Sequence, residues 1–169
     1  MVLEAPPPNG GVPTAFADLR MFRIFQHFPD DPLIKLAAAT REETVDAGSV
    51  LYREGEEGDD FWVVVAGSVE GTRSTPVGRQ PVIRVRTGQM FGDVSFLDGK
   101  TRPITIAATQ PTVLLRFDPN AVRSMLERDH ELNVLLLRTF WHSMAAKTRQ
   151  TNQFMAEVFT SHDTISRSP

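Results

Sequence analysis

The sequence predicts a mainly β fold, an antiparallel jelly-roll-like β-barrel with helices before it and a long C-terminal helix after it. Three observations carry this expectation. Short β-rich runs (Val50-Leu51-Tyr52, Phe61 to Val65, Val82 to Val85, Ile104 to Ile106, Val113 to Phe117) follow one another at close intervals. Gly48, Gly55, Gly58, Gly67, Gly71, Gly78 and Gly88 punctuate them as turn formers. No separation between the runs holds a long helical pattern, which disfavours a parallel βαβ sheet.

In chain order, Ala5 to Pro13 is rich in proline and glycine and offers nothing to pack, so residues 1–15 are read as a flexible arm. Phe16 to Phe28 has apolar residues at helical spacing, and Pro29-Asp30-Asp31-Pro32 stops it. A second short helix is expected over Asp31 to Ala39, with Asp31 as cap and Pro32 as its first residue. The β-rich texture begins after Glu43 and gives way to a helical period from Asn120. Val122, Met125 and Leu126 suggest one short helix. A longer one starts near His130 with the apolar row Leu132, Leu136, Phe140 and Met144. One domain is expected over 16–150, and 151–169 is read as a helix extension ending in a disordered tail from Ser161.

A chain of 169 residues with 41% hydrophobic and 23% charged residues can bury one substantial core. A formal charge of -3 creates no global field toward nucleic acid or anionic lipid, so any anion site is local. The absence of cysteine excludes disulfides, thiolate nucleophiles and cysteine-ligated zinc. It fits a reducing compartment, and a cytoplasmic protein is expected. No segment approaches the roughly 20 apolar residues of a membrane span. The four histidines lack ligand spacing, and no nucleophile elbow, Walker loop or paired catalytic carboxylates stand out, so neither a metal, a cofactor nor an enzyme is expected.

The stretch Gly88 to Thr105 carries the chemistry. It supplies a glycine where backbone must come close to a partner, then Asp93, a short apolar turn of helix, and Arg102. Such a set can hold a sugar phosphate, with turn amides and a guanidinium fork on the anionic oxygens and the carboxylate on a sugar hydroxyl. Taken alone, the same residues also fit a surface arginine paired with Asp93 or Asp98, and a turn-capping Asp93.

The order of these features resembles the cyclic-nucleotide-binding domain, the sensor module of catabolite activator proteins, cyclic-nucleotide-dependent kinases and cyclic-nucleotide-gated channels. The likeness covers Phe16 to Gln150 and includes Ala47 to Val69, which is similar to that family's first hairpin. The family's phosphate-binding cassette reads Phe-Gly-Glu, several apolar residues, then Arg-Ala-Ala or Arg-Ser-Ala; here it reads Phe91-Gly92-Asp93 and Arg102-Pro103-Ile104. The resemblance implies that Arg102 grips the cyclic phosphate, that Asp93 takes the ribose 2′-hydroxyl, and that the amides of Gly92, Asp93 and Val94 line the pocket. It also places base recognition on Val82, Ile83 and Arg84 and on Arg138, Trp141 and His142 of the long helix. The Leu-Phe-Trp stripe of that helix fits core or dimer contact as well.

The cassette departs from the family in three ways. Asp93 is one bond, about 1.5 Å, shorter than glutamate. Pro103 has no N–H to offer a phosphate, a loss of about 1.5–3 kcal/mol if uncompensated. Ile104 is bulkier than alanine. The implied ligand is a cyclic nucleotide, with cAMP favoured over cGMP because Pro103 stands where a serine or threonine helps select guanine. The expected function is a sensor that signals through its C-terminal helix to a partner or dimer mate. The alternative is a degenerate fold that docks proteins without nucleotide. Only about twenty residues follow Gln150, too few for a helix-turn-helix, so direct DNA binding is not expected. The row Leu132, Leu136, Phe140 and Met144 fits either a parallel homodimer or packing on the chain's own barrel.

Overall fold

The computed structural model describes residues 14–76 and 78–165, with side chains to 156. The flexible-arm expectation for 1–15 therefore falls almost entirely outside the described residues. Two helices open the described chain, α1 (Thr14–Met21) and α2 (Asp30–Ala38), with a 3-10 turn at Arg23–Phe25 between them. The helix expected from Phe16 is thus shorter and starts earlier. Nor is Asp31 the cap of α2: Pro29 holds that position and contributes no side-chain bond, while Asp30 and Asp31 lie in the first turn, where their charge complements the helix dipole.

Eight strands follow: β1 (Thr40–Val45), β2 (Val50–Tyr52), β3 (Phe61–Ala66), β4 (Ser68–Thr75), β5 (Gly78–Arg86), β6 (Met90–Phe91), β7 (Thr105–Ala108) and β8 (Thr112–Phe117). They form two four-stranded sheets, ordered β1-β8-β3-β6 and β2-β7-β4-β5, and every pair is antiparallel. A six-residue helix, α3 (Asp93–Asp98), sits between β6 and β7. Two more close the fold, α4 (Pro119–Arg128) and α5 (His130–Ile165). Asp118 caps α4 by accepting from the Ala121 amide, with Pro119 at the first helical position. Helical backbone through Ile165 replaces the tail expected from Ser161; residues 166–169 lie outside the description.

The continuous apolar run Phe61 to Val65 serves two cores. Alternation sends Trp62 and Val64 into the barrel, where they meet Tyr52, Val69, Ile83, Phe91, Ile106 and Leu114. Phe61 and Val63 face the other way, toward the helices, with Leu115, Phe117, Leu33, Leu36 and Val122. Phe61 stacks on Phe117 with centroids 4.4 Å apart and meets Phe140 of α5 edge-on at 5.2 Å. Leu132, Leu136 and Phe140 are therefore core residues of this chain, and the row expected to suit either a dimer or the barrel is used up on the barrel, apart from the half-exposed Met144. No helix among the described residues is long and apolar enough to cross a membrane.

Candidate functional site

The site is built where β6 turns into α3. Gly92 joins them with φ +83, a left-handed conformation that favours glycine, and it lies against the chain entering β3. The next residue, Asp93, begins α3 and is only 1% exposed. One carboxylate oxygen accepts from the Lys147 ammonium of α5; the other, Oδ2, has no partner, and neither does the buried hydroxyl of Ser95. No side chain caps the first turn of α3.

These residues line a cavity of about 210 Å³. Its polar wall holds Gly92, Asp93, Val94, Ser95, Arg73 and Lys147, and its apolar wall includes Tyr52, Phe91, Val82, Ile83, Pro103 and Ile104. Pro103 and Ile104 narrow the space without filling it. The α5 helix lies across the mouth and is tied to the edge strand β5, which otherwise leaves backbone groups unpaired. Gln150 accepts from the Arg84 amide at 3.1 Å and the Thr151 hydroxyl donates to the Val82 carbonyl at 3.3 Å.

Arg102 is turned inward, 3% exposed, but lies behind the cavity wall rather than in it. Its backbone is clamped by the β2–β3 loop, the amide donating to the Glu56 carbonyl and the carbonyl accepting from Gly55, each at 2.8 Å. Its Nη1 donates to the carbonyls of Asp60 at 2.8 Å and Gly92 at 3.3 Å, and Nη2 lies 3.9 Å from the Asp60 carboxylate. The guanidinium stands 4.4 Å from the Tyr52 ring centroid and 5.4 Å from that of Trp62, while Nε has no partner. Burial lowers its pKa, and the charges of Tyr52 and Asp60 oppose that. Burial likewise pushes the Tyr52 hydroxyl well above its usual range, with Arg102 pulling it back and Asp93 adding to the rise. The surface-arginine alternative fails, because the partner is Asp60 and not Asp93 or Asp98.

Of the residues proposed from the sequence, Gly92, Asp93, Val94, Pro103, Ile104, Val82 and Ile83 meet at the cavity. Arg84 pairs with Glu70 at 2.8 Å and, with His142, lines a second cavity of about 300 Å³ between α5 and β5. Arg138 and Trp141 do not reach the site. The register that turns Leu136 and Phe140 into the core leaves Arg138 exposed and Trp141 75% exposed on the far side of α5. The residues that face the cavity lie one to three turns later, Lys147 and Thr151. Lys147 lies in a polar stretch of the sequence, yet its side chain is largely buried. Burial lowers its pKa and the Asp93 carboxylate opposes that. Tyr52, Arg73, Phe91 and Ser95 were also missed; only Phe91 carried a sequence signal, as part of the cassette. Among the described residues no group of three or more histidine or acidic side chains could hold a metal ion.

The site thus combines a β-barrel, a glycine–carboxylate turn, an inward arginine and a helix across the cavity mouth. Residues 42–129 match the family model described as the cyclic nucleotide-binding domain, and the chain belongs to that family. It is 27% identical over 139 residues to a CRP-like cAMP-activated global transcriptional regulator of Mycobacterium tuberculosis, covering 81% of this chain and 60% of the regulator's length. The N-terminal domain of a transcriptional regulator from Streptomyces coelicolor matches with a TM-score of 0.65 at 29% identity, over 82% of this chain and 94% of that one. A cyclic nucleotide-binding domain from Methylobacillus flagellatus matches with a TM-score of 0.75 at 21% identity, over 86% and 84%. The class is thus a cyclic nucleotide-binding regulatory domain.

Proposed function

We propose that this domain senses cAMP and transmits binding through α5 to a dimer mate or protein partner, with no chemistry performed on the nucleotide. The observation that supports this is the set of unsatisfied groups on residues that line one cavity: Asp93 Oδ2, the Ser95 hydroxyl and the uncapped first turn of α3. A buried carboxylate oxygen without a donor is costly, and a ribose hydroxyl donates to it. The α3 amides of Asp93 and Val94 meet phosphate oxygens, and Val82, Ile83 and Ile104 offer an apolar wall for the base. Arg102 braces Gly92 from behind and contributes positive charge there; it becomes a direct ligand only by trading its Asp60 and Gly92 contacts for the phosphate. The cAMP preference is supported by Pro103 at the guanine-selecting position and by the name of the Mycobacterium regulator.

Calorimetric titration with cAMP, cGMP and cyclic dinucleotides tests this. Binding of cAMP, tighter than cGMP, is the expected result, and silence with every ligand overturns the sensor. A second reading, a docking module without nucleotide, is favoured by Lys147 already pairing with Asp93 and by the N–H missing at Pro103. Silence in the titration selects it.

The dimer, if α5 forms it, uses a face different from the core row. Val134, Leu137, Trp141 and Met144 are exposed at alternating spacings of three and four, the pattern of a two-helix seam. Sedimentation is expected to give a dimer that Leu137→Glu converts to a monomer without changing the fold. A wild-type mass that never exceeds one chain removes this output route.

A further inference from the structure

We propose that Lys147 is a ligand-binding residue of the cavity, the cation that exchanges Asp93 for the phosphate of an entering cyclic nucleotide. This rests on the sensor reading and adds to it a residue outside the cassette. An anion entering the cavity needs a positive partner, and the wall contains two, Arg73 and Lys147. Arg73 is exposed and lies 3.6 Å from Glu54, so water and a carboxylate already meet its charge. Arg102 is behind the wall and engaged by Asp60. Lys147 alone is both largely shielded from solvent and on the cavity wall.

The groups around it make the exchange balanced. Asp93 loses the ammonium at Oδ1 and gains the ribose hydroxyl at Oδ2, so its carboxylate keeps one donor throughout. The ammonium carries three donors on a flexible stem and turns from Oδ1 of Asp93 to a phosphate oxygen, with no proton transferred and no covalent bond changed. The Ser95 hydroxyl, buried without a partner on the same wall, is a further donor. Together they replace the backbone donor that Pro103 lacks. Gln150 and Thr151 tie α5 to β5 before any ligand enters, so the ligand finds Lys147 already at the mouth. Burial disfavours the ammonium and Asp93 opposes that; a phosphate beside it adds a second opposing charge.

The test measures cAMP affinity of the wild type, Lys147→Gln and Lys147→Arg by calorimetry. Glutamine removes the charge and retains an N–H donor, on a side chain one bond shorter. Lys147→Gln is expected to bind at least about tenfold more weakly, and Lys147→Arg within about threefold of wild type. Wild-type silence toward every cyclic nucleotide overturns the sensor and this assignment together. With wild-type binding in hand, a Lys147→Gln affinity within threefold or tighter overturns the assignment alone, since it makes Lys147 a mere plug. An equal loss in Lys147→Arg does the same, by making shape and not charge the cause. If Lys147→Gln does not fold, Asp93→Asn/Lys147→Gln removes both buried charges at once. Its cAMP affinity is compared with that of Asp93→Asn, and the same tenfold ratio is expected.

Discussion

Arg102→Ala lowers the free energy of unfolding by about 3 kcal/mol, even with no ligand present. The guanidinium is almost wholly buried, donates to two carbonyls and stands over two aromatic rings. Alanine leaves the carbonyls of Asp60 and Gly92 short of a donor and opens a void between Tyr52 and Trp62. The loss is held near this figure because the Asp60 carboxylate keeps a second cation, Arg116, at 3.0 Å. Urea unfolding checks the prediction: the midpoint falls while the slope stays constant. Arg102→Lys recovers little, because a lysine offers neither the planar fork nor the stacked face. A loss below about 1 kcal/mol in Arg102→Ala contradicts the account.

Gly92→Ala has the second large effect, expected at about 3 kcal/mol or more and accompanied by loss of nucleotide binding. Two costs combine. The left-handed backbone alone costs a side chain about 1–2 kcal/mol. In addition, an added Cβ lies 2.6 Å from the Asp60 carbonyl oxygen and 3.0 Å from the Phe61 Cα, both backbone atoms that cannot swing aside. Gly48 separates the two costs, since it has the same φ of +83 and nothing within 4 Å of its added Cβ. Gly48→Ala is therefore expected to cost only the backbone part. Thermal and urea unfolding of both variants measure the difference, and equal losses contradict the steric argument. Because any shift that relieves the clash moves the first turn of α3, Gly92→Ala is also expected to show no heat with cAMP.

Much of the architecture was legible along the chain. The glycine-bounded runs at Val50, Phe61, Val82 and Val113 are strands, because alternation and turn chemistry are properties of neighbouring residues. The end of the barrel near Asn120 and the start of α5 near His130 were legible for the same reason. Two strands carried weak signals. In β1, Thr-Arg-Glu-Glu-Thr-Val is mostly polar because the strand lies at a sheet edge with water beside it. In β4, Ser-Val-Glu-Gly-Thr-Arg-Ser-Thr buries only Val69 and Gly71, and its pairing with β5 and β7 holds it.

The site was legible only in part. The cassette Phe91-Gly92-Asp93 announces itself, since a glycine, a carboxylate and a short helix are consecutive. The destination of Arg102 does not, because Asp60 is 42 residues earlier and joins it only through the β2–β3 loop. Lys147 is hidden more thoroughly. Its neighbours Thr148, Arg149 and Gln150 are polar, and a lysine among them reads as solvated until the helix phase set by Leu136 and Phe140 is known.

What the sequence determined by itself is the order and kind of the elements, the cassette's position and the family, since each depends on residue types close together in the chain. Only the tertiary structure decided which charges meet. Asp93 and Lys147 are 54 positions apart, and their pairing follows from how α5 lies across the edge of β5. Electrostatic partnership depends on distance and burial, and neither exists until the two sheets and the long helix are packed.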